Sequence, residues 1–235
     1  MKKNRIGKIK YNKEIAKDTY KLVISSDVEE IKAGQFISIY CENKPLRRPF
    51  SVADFEDGEI TVLYKLKGDG THYIKNLKEN DKIDFLAPLG NTFNFENVNS
   101  ALLIGAGIGI APMLFLKKEL DKNGIKNFLI SGFKDALEVV EGSNQVVIGG
   151  SVMDEKENAV EKIKPDIIYS CGPSIVLKMV TEFGIKNNIK TQIAMEKVMA
   201  CGIGVCRGCI IELKNGKNAS VCKDGPVFLG DEIKW

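Results

Sequence analysis

"ALLIGAGIGIAPMLFL", residues 101–116, runs from an unbroken apolar stretch through a glycine-rich turn to a proline. The apolar part reads as a strand buried on both faces. The residues that follow, "APMLFLKKELDKNG" (111–124), take up helical period and close on a glycine stop signal. In such a strand–turn–helix, Gly105, Gly107 and Gly109 let the backbone approach a pyrophosphate, whose charge the helix N-terminus favours. The full G-x-G-x-x-G with a following acidic residue is missing, so a second reading stays open: glycines that only allow close strand–helix packing. A membrane span is excluded, because the run is shorter than the ~20 residues required and is broken by three glycines and a proline.

Downstream the same alternation continues. "NFLISGF", "QVVIGG", "DIIYSCG" and "TQIAM" are apolar strands separated by segments of helical period, of which "PSIVLKMVTEFGIKN" (173–187) is the clearest. That pattern specifies βαβ units and a parallel sheet. In "YSCGPS" (169–174), Cys171 and Gly172 fall at the carboxyl edge of the sheet, where ligands of α/β folds bind, and Pro173 suits the first turn of the next helix. A buried structural role for Cys171 is the competing reading.

Upstream of about residue 100 the period changes. "TYKLVISS", "QFISIYCE", "PFSVADF" and "EITVLYKLK" are short runs rich in β-branched and aromatic residues, separated by turn signals, which predicts a small antiparallel barrel. Within it Arg48 offers a planar fork for a phosphate, and Ser51 a hydroxyl able to bond a flavin ring. Gly70 and Thr71 open a helix, a second seat for a pyrophosphate. A surface arginine pair and a turn explain the same residues nearly as well. The single His72 reads as structural, Cys41 as a small buried hydrophobe, and no serine–histidine–acid constellation stands out.

The C-terminal stretch "MACGIGVCRGC" (199–209) with Cys222 spaces four cysteines as C-x4-C-x2-C-x12-C, threaded by Gly202, Gly204 and Gly208. Zinc sites favour two short pairs separated by a longer span. Three cysteines crowded together with a distant fourth is instead the plant-type [2Fe–2S] arrangement, and the glycines let N–H groups approach the sulfides. Cys201, Cys206, Cys209 and Cys222 are therefore the expected ligands, with zinc and a thiol redox motif as alternatives.

Composition sets the outer bounds. The chain has 235 residues, 44% hydrophobic and 28% charged, the balance of an ordinary globular protein. Its net charge of +3 comes from 34 basic and 31 acidic residues mixed along the chain, so no basic stripe invites nucleic acid. The start, "MKKNRIGKIKYNKE", leads into no apolar signal region. A cytoplasmic, membrane-free protein is expected, and reducing conditions there favour metal or redox roles for clustered thiols.

The order of motifs resembles the ferredoxin reductase superfamily. Arg48-Pro49-Phe50-Ser51 matches R-x-(Y/F)-S, Gly107 to Pro112 matches G-x-G-(I/V)-x-x-P, and Cys171-Gly172-Pro173 matches C-G-P. With the cysteine-rich ending, the whole chain is similar to the electron-transfer subunits of B-type dihydroorotate dehydrogenases. That resemblance implies an FAD-binding β-barrel domain over 1–97, an NAD-binding α/β domain over 98–194 and a [2Fe–2S] domain over 195–235. It implies FAD contacts at Arg48, Pro49, Phe50, Ser51, Leu63, Tyr64, Lys65, Gly70 and Thr71. It also implies a partner, an FMN-containing subunit that oxidises dihydroorotate, joined with this chain as a heterotetramer of two of each. Electrons would pass from that FMN through the cluster and FAD to NAD+, in the making of pyrimidines. A flavin suits the middle position because it exchanges electrons both in pairs and singly.

Two rival expectations remain. One is a reductase subunit of the same superfamily serving a hydrogenase, a sulfide dehydrogenase or another acceptor. The other is a zinc-stabilised nucleotide-binding regulator. Between Arg48 and Arg207 there is no arginine to meet a 2′-phosphate, which leans the cofactor toward NAD.

Overall fold

The computed structural model describes residues 3–235. Six strands make the N-terminal part: β1 (Lys3–Ala16), β2 (Thr19–Ser25), β3 (Phe36–Ile39), β4 (Arg48–Glu56), β5 (Glu59–Lys65) and β6 (Lys82–Leu89). They close antiparallel into a barrel in the order β1-β2-β5-β4-β3-β6. Alternation drives this closure: Tyr20, Leu22 and Ile24 on β2 and Ile83, Phe85, Ala87 and Leu89 on β6 turn inward. Helix α1 (Asp69–Asn76) fills the connection from β5 to β6.

The second part alternates as expected: β7 (Ser100–Ala106), α2 (Ile110–Lys122), β8 (Lys126–Phe133), β9 (Gln145–Ile148), α3 (Lys156–Ile163), β10 (Ile167–Cys171), α4 (Ser174–Lys186) and β11 (Lys190–Ala194). Pro173 stands just before α4 as its N-cap rather than inside its first turn. The five strands are parallel.

The cysteine-rich segment adds a small hairpin, β12 (Ile210–Glu212) with β13 (Asn218–Ser220), and a last strand, β14 (Val227–Leu229). That strand pairs antiparallel with β11, extending the sheet to β14-β11-β10-β7-β8-β9. The small C-terminal cysteine segment thus also lends a strand to the neighbouring sheet.

One continuous apolar core runs from the barrel into the α/β part, with Ile9, Val62 and Phe93 alongside Ile110, Met113 and Ala194. A second core joins the cysteine segment to both: Cys209, Val221 and Cys222 pack with Phe36 and Leu89 of the barrel and Leu177 and Ile193 of the sheet. Polar ties reinforce the first junction. Lys118 Nζ reaches both Asp54 oxygens (2.8 and 2.9 Å) and Glu56 (3.0 Å), and Lys65 pairs with Glu138 (2.7 Å). Among the described residues no helix is long and apolar enough to cross a membrane.

Candidate functional site

A cleft of about 480 Å³ opens where the three parts meet. All nine barrel residues expected at the flavin line it: Arg48, Pro49, Phe50 and Ser51 from β4, Leu63, Tyr64 and Lys65 from β5, and Gly70 and Thr71 from α1. The β4–β5 pairing runs as far as Val52 and Val62, and the two lining segments continue directly beyond that pair. Thr71 Oγ1 accepts from the backbone N–H groups of Lys67 (2.9 Å) and Gly68 (3.2 Å), which holds the loop entering α1. The Arg48 stem crosses directly over Gly70, and its guanidinium donates to the Leu46 carbonyl.

The barrel wall of the cleft is aromatic. Tyr64 stacks on Tyr20 with centroids 5.4 Å apart and meets Phe50 edge-on at 6.0 Å. Burial pushes the Tyr64 phenol well above its usual range, so it stays protonated. An apolar, aromatic wall beside Arg48, Lys65, Lys67 and a helix N-terminus suits a molecule that is a flat ring at one end and an anionic phosphate at the other.

Sequence reasoning missed the opposite wall. Ile108 and Ala111 come from the glycine turn and the start of α2; Met195, Glu196, Lys197 and Met199 follow β11, and Pro226 precedes β14. The rule that α/β ligands gather at the carboxyl edge of the sheet would have pointed to the residues after β11. Glu196 has protein on most sides, which raises its carboxyl above the ordinary range against the pull of Lys67, although its side chain still meets solvent through the cleft.

The glycine turn lies at the sheet's switch point. Strand β7 is flanked by β8 on one side and β10 on the other, so the crevice above its carboxyl end separates the two halves of the sheet. Gly107 has φ of +56°, with nothing within 4 Å of where a Cβ would stand. Gly105 and Gly109 do something else. A Cβ on Gly105 would fall 2.9 Å from the Ile110 Cα, and one on Gly109 would strike the Cys171 carbonyl. Both are therefore packing glycines, and the open conformation belongs to Gly107. Cys171 is buried, its thiol pushed well up by burial and by the negative charge of nearby Glu196. Gly105, Gly109, Cys171 and Gly172 are thus brought together beside the cleft, and only Ile108 and Ala111 of this turn enter its wall.

The four expected cysteine ligands form two contacting pairs. The Cys206 N–H donates to Cys201 Sγ and the Cys222 N–H to Cys209 Sγ, both at 3.4 Å, and the Gly208 N–H donates to Cys206 Sγ at 3.4 Å. Desolvation opposes ionisation of Cys201, but N–H groups of Cys206, Ile203 and Val205 outweigh it and bring the thiol down to about 6. Cys222 is pushed up to about 12 by burial and by the Cys209 thiol. Thiols supplied with backbone N–H donors match the needs of an iron–sulfur cluster, whose sulfurs are stabilised in that way. No three His, Cys, Asp or Glu side chains among the described residues converge as for a single metal ion. A two-iron cluster spreads its ligands over two centres and makes no such demand. Met199, in the cleft wall, stands two positions before Cys201.

A cleft shared by a barrel, a nucleotide-type sheet and a four-cysteine segment defines the class: a flavin-dependent reductase of the ferredoxin reductase type with an appended iron–sulfur segment. Comparison with solved structures agrees. An NADH-dependent reduced ferredoxin–NADP oxidoreductase matches with a TM-score of 0.88 and 28% identity, covering 97% of this chain and 90% of that one. Phthalate dioxygenase reductase shares the fold alone, at a TM-score of 0.67 and 17% identity over 91% of this chain and 75% of its own. Residues 196–234 match the family model for the iron–sulfur cluster binding domain of dihydroorotate dehydrogenase B. The dihydroorotate dehydrogenase B (NAD(+)) electron transfer subunit of Caldanaerobacter subterraneus subsp. tengcongensis is 37% identical, over 94% of this chain and 95% of the relative. That of Clostridium perfringens is also 37% identical, over 97% of both chains. This chain belongs to the family of dihydroorotate dehydrogenase B electron transfer subunits.

Proposed function

We propose that this chain is the electron conduit of an NAD+-dependent dihydroorotate dehydrogenase in pyrimidine synthesis. It works in the cytoplasm beside a catalytic subunit that carries FMN, two copies of each forming the complex. The division of labour follows the segments 1–97, 98–194 and 195–235. One observation carries the reading: a single cleft is walled by the barrel, by the glycine turn (Ile108, Ala111) and by the start of the cysteine segment (Met195, Met199). A flavin held there supplies the exchange between paired electrons, as nicotinamide takes them, and single electrons, as a two-iron cluster takes them.

The chain's own residues supply position and charge. Arg48, Lys67 and the backbone N–H of Gly70 hold the phosphates, Thr71 fixes the loop beside them, and Phe50, Leu63 and Tyr64 wall the ring. Ser51 offers a hydroxyl to the ring edge. Gly107 leaves room for a nucleotide's phosphates at the switch point, with Cys171 and Gly172 backing the neighbouring Gly109. Cys201, Cys206, Cys209 and Cys222 hold the cluster, and Cys206 is the exposed member of the set.

The test is purification of the native complex. Co-purification of a flavoprotein that oxidises dihydroorotate, with iron, FAD and faster NADH than NADPH turnover, is the expected outcome. Recovery with a hydrogenase or with a bifurcating partner would move the chain to another complex, the second reading that the 0.88 TM-score neighbour keeps in view. A colourless protein with stoichiometric zinc would end both.

A further inference from the structure

Asn12, on β1, makes three hydrogen bonds that the flavin site as described leaves unused. Its register partner is buried Leu22, which puts its side chain on the inner face of the barrel. The amide Nδ2 donates to the carbonyls of Ile74 (2.8 Å) and Leu77 (3.0 Å) at the C-terminal end of α1. The Oδ1 atom accepts from the Tyr64 hydroxyl at 2.8 Å.

Chemistry fixes the orientation of this amide. Carbonyl oxygens only accept, so the NH2 end must face the helix and the oxygen must face the phenol, which is then obliged to donate. Tyr64 commits its proton to Asn12 and offers the cleft its ring, braced by Tyr20 and Phe50. Meanwhile the end of α1 is held from the side: the Ile74 carbonyl, which also accepts from the Leu77 N–H at 3.1 Å, and the Leu77 carbonyl both take a bond from Asn12. The opposite end of α1 presents Gly70 and Thr71 to the cleft. One side chain on a distant strand therefore ties the ring wall of the site to its phosphate end.

We infer that Asn12 is a positioning residue for the flavin: it fixes the Tyr64 ring and proton and the stance of α1 without touching the ligand. This rests on the flavin reading above. A residue that merely braced the barrel would lower the melting temperature and leave the properties of bound flavin alone.

The experiment compares Asn12→Leu, Tyr64→Phe and the double variant in the full chain. It reads the FAD dissociation constant by fluorescence, the visible circular dichroism of bound flavin and its midpoint potential. Asn12→Leu is expected to weaken FAD binding about tenfold, the scale of one to two lost hydrogen bonds, and to alter the dichroism bands. Tyr64→Phe keeps the amide on the helix, so it should alter the bands with a smaller loss of affinity. The double variant should fall short of additivity, as residues in one network do. A folded Asn12→Leu with unchanged affinity and dichroism, or strictly additive effects, overturns the inference. If Asn12→Leu does not fold, Tyr64→Phe decides: unaltered dichroism and potential overturn it. Wild-type chain that takes up no FAD would sink the flavin site itself, a distinguishable result.

Discussion

Arg48 lies across the face of Gly70, so closely that a Cβ on the glycine would stand 2.7 Å from Nε and 2.8 Å from Cγ of the arginine. The residue expected to grip a phosphate and the residue that opens α1 are thus one fitted unit. Gly70→Ala must displace the arginine stem, an overpacking change that costs about 1–3 kcal/mol where neighbours cannot give. Flavin retention after dialysis should fall sharply. Gly124→Ala, in the turn after α2 and outside the cleft lining, is the control: its methyl meets nothing within 4 Å, it carries only the strain of a positive φ, and it should keep its flavin.

Cys206 is exposed and outside the buried core that contains Cys209 and Cys222. Cys206→Ser should therefore leave the fold intact while iron content and the reduced-cluster EPR signal drop. Reduction of bound FAD by NADH should continue. Full coupled turnover in that variant would contradict its role as a ligand.

Gly109→Ala drives a methyl into the Cys171 carbonyl, backbone against backbone, at the edge that carries the nucleotide site. A large fall in melting temperature together with a raised KM for NADH is expected. Gly107→Ala meets only the strain of a positive φ, on the order of 1 kcal/mol, and its melt should shift by a few degrees. Thermal scans of the two variants side by side check the ranking.

Lys118 bridges from α2 to Asp54 and Glu56 on β4, half open to solvent. Lys118→Met should cost on the order of 1 kcal/mol, because partly exposed pairs are screened. Urea melts at low and at high salt measure it, and the gap from wild type should narrow as salt is added.

Much of this was legible because the informative signals are local. Cysteine spacing, the apolar run before Gly105 and the alternation in β2 and β5 each specify their own surroundings. Cys41 is fully buried, as a small hydrophobe should be. Two barrel strands escaped notice. In β1 the described residues up to Ala16 bury only Gly7 and Ile9 among many lysines, so the strand is held by its neighbours rather than by its own composition. In β6, Pro88 interrupts a run whose alternation is otherwise regular. The second wall of the cleft was hidden for another reason: Ile108, Met195 and Pro226 meet only after three segments of the chain have folded together. The glycine turn divides its labour in a way spacing does not reveal, since packing glycines and an open one look alike in letters.

Ala194 and Val227 are register partners on adjacent antiparallel strands, and Met195 N–H still reaches the Pro226 carbonyl at 2.8 Å. Everything between them is a cassette whose two feet stand side by side. Such an excursion can be lengthened at its exposed tip, near Val205, while the strands beneath stay paired, whereas trimming it to a tight hairpin would strip Phe36, Leu89 and Leu177 of the packing it supplies. A foreign electron-carrying loop grafted onto those feet would retarget the molecule to a new acceptor only if it brought its own apolar residues to seat on Phe36, Leu89 and Leu177.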